Sequence, residues 1–161
     1  SWYVGARDGD AAKHFISDLA SRLSGRVQLT SDGHKAYLEA VEQSFGADID
    51  YSMLIKIYGD PPGEGRYSPG ECLGIHRLRV EGRPDPKHVS TSYAERQNLS
   101  MRMGMRRFTR LTNAFSKTAE NHAHALAIYF MHYNFVRIHQ TLRVTPAMAA
   151  GVSAKLWELS D

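Results

Sequence analysis

The stretch Ile49-Asp50-Tyr51-Ser52-Met53-Leu54-Ile55-Lys56-Ile57 decides the fold class of this 161-residue chain. Every second side chain in it, from the first residue to the last, is large and apolar. A period of two is typical of a β-strand that turns one face toward a core. The stretch therefore predicts a strong strand, and its neighbours in sequence show what packs against it.

Helices and strands alternate on the N-terminal side of this strand. Apolar residues between 37 and 45 recur at helical spacing and predict a short helix that closes at Gly46. Residues 27–33 predict a short strand ending in a turn, and 11–24 predict an amphipathic helix with Asp10 as its cap. Residues 1–5 have the composition of the end of another strand. This alternation predicts an α/β fold.

A loop and short strands follow the central strand. Residues 59–70 contain seven Gly or Pro residues and predict a loop. Residues 72–80 predict one or two short strands, so that 59–90 forms a loop and short-strand insertion. Despite this insertion we expect a single domain over residues 1–161.

The C-terminal part is predicted to be helical. Apolar periodicity indicates one helix over about 92–108 and a longer one over about 118–137. Thr145-Pro146 predicts the start of a third, short helix, with threonine as cap and proline in the first turn. Gly151 is expected to end it.

The composition excludes several classes of protein. No apolar run approaches the roughly 20 residues of a membrane span. The single cysteine, Cys72, cannot form an internal disulfide or a cysteine-based metal site, and a reducing cytoplasm is the simplest location. The Gly-rich phosphate loop, the Gly-x-Ser-x-Gly elbow and His-Glu-x-x-His are all absent, so the sequence indicates no P-loop, serine-hydrolase or zinc-protease centre.

Positive charge is concentrated in the C-terminal part of the chain. Residues 1–60 carry six basic and nine acidic side chains, whereas 61–161 carry 14 and eight. Between residues 96 and 110 no acid occurs, and five arginines do: Arg96, Arg102, Arg106, Arg107 and Arg110. Such a stretch attracts a polyanion. A solvated helix face explains it equally well when it is taken alone.

Two carboxylates stand where chemistry is possible. Asp32 follows a predicted strand, and ligands of open α/β sheets bind outside the carboxyl ends of strands. A Ser-Asp-Gly turn explains the same residue. Glu95 lies at the start of a predicted helix with Asn98 and Arg102 on its face, but Ser92-x-x-Glu95 is also a capping box. Mg²⁺ needs few protein ligands, so a shared ion and the two structural roles all remain open.

Several segments resemble bacterial insertion-sequence transposases with a DDE-type integrase core. Residues 133–147 are similar to their closing motif, Tyr-Asn-x-x-Arg-x-His-x-x-Leu followed by Thr-Pro. Residues 92–99 resemble the helix that bears the glutamate of the Asp-Asp-Glu triad, and 29–33 resemble the strand end that bears its second aspartate. Residues 106–113 resemble the segment that follows the glutamate helix in some of these enzymes.

The resemblance implies a ribonuclease-H-like mixed sheet flanked by helices, with a helical C-terminal part. It implies that Asp32 and Glu95 ligate two divalent ions, Mg²⁺ or Mn²⁺, that promote cleavage and strand transfer at DNA phosphodiesters. Double-stranded DNA is then the partner, and the full-length enzyme is expected to be a homo-oligomer. The residues expected to contact DNA are Arg96, Asn98, Arg102, Arg106, Arg107, Arg110, Arg137 and His139.

The chain departs from the family pattern in two ways. The first aspartate should lie on an early strand, and Asp8 and Asp10 instead follow Gly5 at a helix entry. The resemblance thus implies that this acid and its strand lie before residue 1, which makes residues 1–161 catalytically incomplete. Also, 62 residues separate Asp32 from Glu95, which is more than in many integrases. The 59–90 insertion explains the extra length. The alternative hypothesis is a non-catalytic DNA-binding or oligomerisation remnant, and an unrelated hydrolase of small phosphoesters is a third.

Overall fold

The computed structural model describes residues 1–59, 70–109 and 112–160, which form two compact units, Ser1–Glu95 and Arg96–Asp161. The predicted 59–70 loop lies, apart from its two end residues, outside the described residues. Each unit is considered by itself below.

The first unit is a three-stranded sheet with two helices. Strand β1 pairs in parallel with β2, and β2 pairs antiparallel with β3, giving the order β1-β2-β3. The elements are α1 (Gly9–Ser21), β1 (Val27–Ser31), α2 (Ala36–Phe45), β2 (Ile49–Tyr58), β3 (Cys72–Glu81) and a 3₁₀ turn (Pro86–His88). This confirms a mixed α/β fold with a mixed sheet flanked by helices.

The core of this unit lies between the helices and one face of β2. The alternation that predicted β2 turns Ile49, Tyr51 and Met53 to this face, and each is at most 2% exposed. They pack with buried residues of the two helices: Ala12, Ile16, Ala40 and Val41. Full burial of each large apolar side chain is worth about 1.5–3 kcal/mol, so this face stabilises the sheet.

Three local predictions in this unit need correction or refinement. Residues 1–5 form no strand; Tyr3 instead stacks on His14 of α1, with ring centroids 5.4 Å apart. Asp8, not Asp10, caps α1 by accepting a 2.9 Å hydrogen bond from the amide of Ala11. The helix therefore begins at Gly9, two residues before the start at residue 11 that the apolar periodicity indicated. Residues 72–81 form one strand, in line with the prediction of one or two, but at ten residues it is longer than the short strands expected.

The second unit is helical. Helix α3 runs from the first unit into it, and a 3₁₀ turn, a second long helix with a π-helical end, and a short helix follow. Their bounds are α3 (Ser92–Gly104), the 3₁₀ turn (Arg106–Phe108), α4 (Ala119–Met131), the π turn (His132–Val136) and α5 (Pro146–Ala149). The cap of α5 is as predicted, since the Thr145 side chain accepts from the amide of Met148.

Two helix ends differ from their predictions for visible reasons. Helix α3 stops at Gly104, not Phe108, because the next residue, Met105, is extended and buried. Helix α4 changes into a π turn, where the side-chain amide of Asn134 donates to the carbonyl of Phe130 at 2.9 Å. That carbonyl would otherwise accept the backbone amide four residues on, so the side chain competes with the α-helical ladder. None of the described helices has the length and apolar character to cross a bilayer.

Candidate functional site

The carboxyl ends of the two parallel strands define the end of the sheet where the candidate site lies. Strand β1 ends at Ser31, which is paired with Met53, and Asp32 follows directly. Strand β2 continues in the same direction through Lys56 to Tyr58. The structure therefore places Asp32 and the last part of β2 at one end of the sheet. The position of Asp32 directly after a predicted strand implied this.

Asp32 is exposed and forms a turn. One carboxylate oxygen accepts a 3.1 Å hydrogen bond from the amide of His34, two residues on. Arg7 lies 4.0 Å from the other oxygen, and the Asp32 side chain is 59% exposed. The turn hypothesis is thus correct for one oxygen, while the second oxygen faces a cation and solvent.

Two tyrosines that the sequence did not single out lie near enough to Asp32 to interact with its charge. Burial, reinforced by the negative charge of Asp32, raises the pKa of Tyr37. Burial also raises the pKa of Tyr51, with a further contribution from Asp32, although its 2.7 Å hydrogen bond with Ser31 acts in the opposite direction. The alternation in β2 was the available signal, because it places Tyr51 on the same face as Ser31, its neighbour on β1.

Glu95 is tied to the sheet by a lysine. The ammonium of Lys56 donates a hydrogen bond to one Glu95 oxygen, and the hydroxyl of Thr91 donates to the same oxygen at 2.8 Å. The hydrogen bond from Lys56 is the larger cause that lowers the pKa of Glu95, and the same bond raises the pKa of Lys56. Glu95 is therefore held as an anion at the outer part of β2.

The capping-box hypothesis for Glu95 is wrong in its details. The amide of Ser92 bonds to the hydroxyl of Ser90, so Glu95 does not reach back to it. The amide of Glu95 instead bonds to the carbonyl of Thr91, whose side chain also meets the Glu95 carboxylate. Glu95 thus keeps its second oxygen outside any cap.

Asp32 and Glu95 lie toward the same end of the sheet but have separate partners. The contact of Glu95 is Lys56, three residues beyond the Met53 that pairs with the last residue of β1. At about 3.3 Å per residue, this is about 10 Å along the strand. In residues 1–59, 70–109 and 112–160 the two acids share no hydrogen-bond partner, and no three His, Cys, Asp or Glu side chains cluster as a metal site.

The predicted DNA-contacting residues of the second unit are mostly exposed. Asn98 and four of the five clustered arginines are described, all exposed: Arg96, Arg102, Arg106 and Arg107. Arg107 donates a 2.7 Å hydrogen bond to Ser116, and Arg110 lies outside the described residues. Their accessibility suits a polyanion and equally suits solvent, so the DNA role stays a prediction.

The two closing-motif residues that were expected to contact DNA differ in their exposure. Arg137 is exposed. His139 is partly buried, with its ring 4.6 Å from that of Tyr133 and its Nε2 3.3 Å from the Tyr133 carbonyl. Backbone hydrogen bonds to Val144 and from Arg143 also engage His139. This ring fixes the turn after the π helix, and a direct DNA contact by it remains a prediction.

No protein-family model, curated protein or solved structure matches this chain.

Proposed function

We propose that this chain is part of the catalytic core of a DNA transposase, in which Asp32 and Glu95 hold divalent metal for phosphodiester cleavage and strand transfer. The observation that carries the proposal is the position of both carboxylates toward one end of the mixed sheet, one after β1 and the other on Lys56 of the parallel strand β2. A ribonuclease-H-like arrangement of the sheet is part of the same proposal.

The donor set fits a magnesium or manganese ion. Carboxylate oxygens are the ligands these ions prefer, and Mg²⁺ uses one or two carboxylates together with water and substrate oxygens. Asp32 has one oxygen outside its turn, and Glu95 has one oxygen outside its bonds to Lys56 and Thr91. Asp8 is committed to the cap of α1, so a third carboxylate is not supplied by that residue.

Each side chain has a defined task in this proposal. A divalent ion held there would supply positive charge beside the oxygens of a phosphodiester, which in-line displacement requires. Lys56 holds one oxygen of Glu95 and lowers the pKa of that carboxyl. Arg7 lies 4.0 Å from Asp32 and is 80% exposed, so it is able to reach a phosphate. The exposed arginines of the second unit would hold the DNA backbone.

Titration with Mn²⁺ tests the metal site. The wild-type chain should bind Mn²⁺ saturably, and Asp32→Asn and Glu95→Gln should each lower the affinity. Loss of an outer-shell partner costs about 10–100-fold, and loss of a ligand should cost at least as much. Glu42→Gln is the matched control, since Glu42 is an exposed acid of α2.

Equal Mn²⁺ affinity in all four proteins would overturn the proposal. If the wild-type chain nevertheless bound duplex DNA, the result would favour the alternative of a non-catalytic DNA-binding part of a transposase. The Lys56–Glu95 pair, which already satisfies one carboxylate, is the observation that keeps this alternative in view.

A further inference from the structure

One face of β3 carries arginines beside the Lys56–Glu95 pair. The register pairs Lys56 with Ile75, Leu54 with Arg77, and Ser52 with Arg79. Residues paired across antiparallel strands point to the same face of a sheet. Arg77 and Arg79 therefore lie on the face of Lys56, opposite the face that packs on the helices.

These arginines have no acidic partner among the described residues. Asp50, the acid of β2 on the same face, is engaged elsewhere, because it accepts two hydrogen bonds from Arg26. Glu81 pairs with Tyr51 beyond a register shift and accepts from the amide of Gly82. Glu95 binds Lys56. Arg79 helps to lower the pKa of Asp50 from a distance, after the larger effects of Arg26 and the Arg83 amide, but forms no ion pair with it.

We propose that Lys56, Arg77 and Arg79, here called the basic strand face, contact the sugar-phosphate backbone of double-stranded DNA. The inference rests on the proposed function and extends it. The basic strand face begins at Lys56, the lysine that contacts Glu95. DNA held along β3 would reach Glu95 at one end of its path.

The spacing and chemistry of the face favour phosphates. Arg77 and Arg79 are exposed and two residues apart on one strand, which separates their backbones by about 7 Å. Successive phosphates of one DNA strand advance about 3.4 Å along the helix axis, so both side chains can reach neighbouring phosphates. A guanidinium also binds phosphate through two parallel hydrogen bonds.

The salt dependence of DNA binding tests this surface. The 161-residue chain is titrated against a fluorescent duplex of arbitrary sequence at several salt concentrations. Arg77→Ala with Arg79→Ala should flatten the slope of log affinity against log salt by about 1.8, since each phosphate contact contributes about 0.9. Arg77→Lys with Arg79→Lys should preserve the slope, because it keeps both charges.

The control, called the α1 variant, removes one charge from within α1 and one from the residue that follows it. Lys13 and Arg22 are already paired with Glu39 and Asp18, so Lys13→Ala with Arg22→Ala should leave the slope unchanged. Equal slopes in the wild type and the β3 variant would overturn the inference, as would equal losses in the β3 and α1 variants. Self-association of the β3 variant with unchanged DNA affinity would show that the arginines only block edge pairing of β3.

Two further measurements separate this inference from the proposed function and from another partner. The β3 alanine variant should bind Mn²⁺ like the wild type, because neither arginine is a ligand. If wild-type Mn²⁺ binding is absent but the slope falls in the β3 variant, the surface stands and the metal site fails. If poly-glutamate displaces DNA at equal charge concentration, the face is a site for an acidic protein and the inference fails.

Discussion

Lys56, near the end of β2, contacts Glu95 in the first turn of α3, and Thr91 donates to the same carboxylate oxygen. The contact links two segments that are 39 residues apart in sequence. It fixes the carboxylate at the end of the sheet where Asp32 also lies. A metal ion at Glu95 would therefore meet a lysine that is already there.

Replacement of this lysine should strengthen metal binding. Lys56→Met removes a positive charge that competes for Glu95 and would repel a divalent cation, so Mn²⁺ affinity should rise several-fold. Titration of the variant with Mn²⁺ measures this. Lys13→Met, which removes a charge from α1, is the control and should have little effect. A fall in affinity would show that Lys56 supports the site rather than competing in it.

Catalytic activity is expected to be absent from the isolated chain. Two carboxylates leave the second ion poorly held, and its contribution to transition-state stabilisation is lost. A strand-transfer assay with a DNA end, a target duplex and Mn²⁺ should yield no product. Robust Mg²⁺-dependent nicking that disappears in Asp32→Ala would contradict this and would show that Asp8 or Asp10 serves as the remaining acid.

The fold was predictable where a pattern repeats over several residues. Alternation from Ile49 to Ile57 identified β2, and Thr145-Pro146 identified the cap of α5. These features depend on local periodicity or on one turn of chain, which the sequence displays directly. The position of Asp32 after β1 followed from the same kind of local evidence.

Partners from distant segments were not predictable in this way. Nothing local to Glu95 indicates Lys56, because the contact depends on how α3 reaches β2. The basic strand face depends on the β2–β3 register, which the sequence did not specify. The π turn was missed because Asn134 satisfies Phe130 through its side chain, an exchange that helical periodicity does not reveal.

The hydrogen bonds of Asp50 should make stability depend on pH. Hydrogen bonds from Arg26, then from the amide of Arg83, lower the pKa of Asp50 from 3.8 to about 2. A lowered folded-state pKa means that Asp50 stabilises the fold above pH 4 and that this stabilisation is lost as the pH falls toward 2. Asp50→Asn should therefore lower Tm at pH 6, and the difference from wild type should shrink between pH 4 and 2.

Thermal unfolding followed by circular dichroism across this pH range provides the measurement. Glu42→Gln, an exposed acid on α2, should show no such convergence with the wild type. A Tm difference for Asp50→Asn that stays constant from pH 6 to pH 2 would show that the charge of Asp50 does not contribute.

Gly82 should tolerate no side chain. Its φ is +65°, and a Cβ there would collide with the Asp50 carboxylate and the carbonyl of Ile49. Gly46 has a φ of +56° but open space around it. Gly46, at φ +56° and ψ −132°, should on replacement by alanine carry only the cost of a sparsely populated backbone conformation, about 1–3 kcal/mol. Gly82→Ala should cost clearly more, because it adds the collision. Urea unfolding of both variants measures the difference; equal losses would show that the turn at Gly82 relaxes freely.

Cleavage by bound iron tests most directly whether Asp32 and Glu95 share a metal ion. The chain is incubated with Fe²⁺ in place of Mg²⁺, and ascorbate with peroxide then generates hydroxyl radicals that cut the backbone near any bound ion. A shared ion predicts two sets of fragments, from cuts near residue 32 and near residue 95, both suppressed by excess Mg²⁺ and lost together in Asp32→Asn and in Glu95→Gln. Cuts near only one of the two residues, or cuts that survive both substitutions, would contradict it.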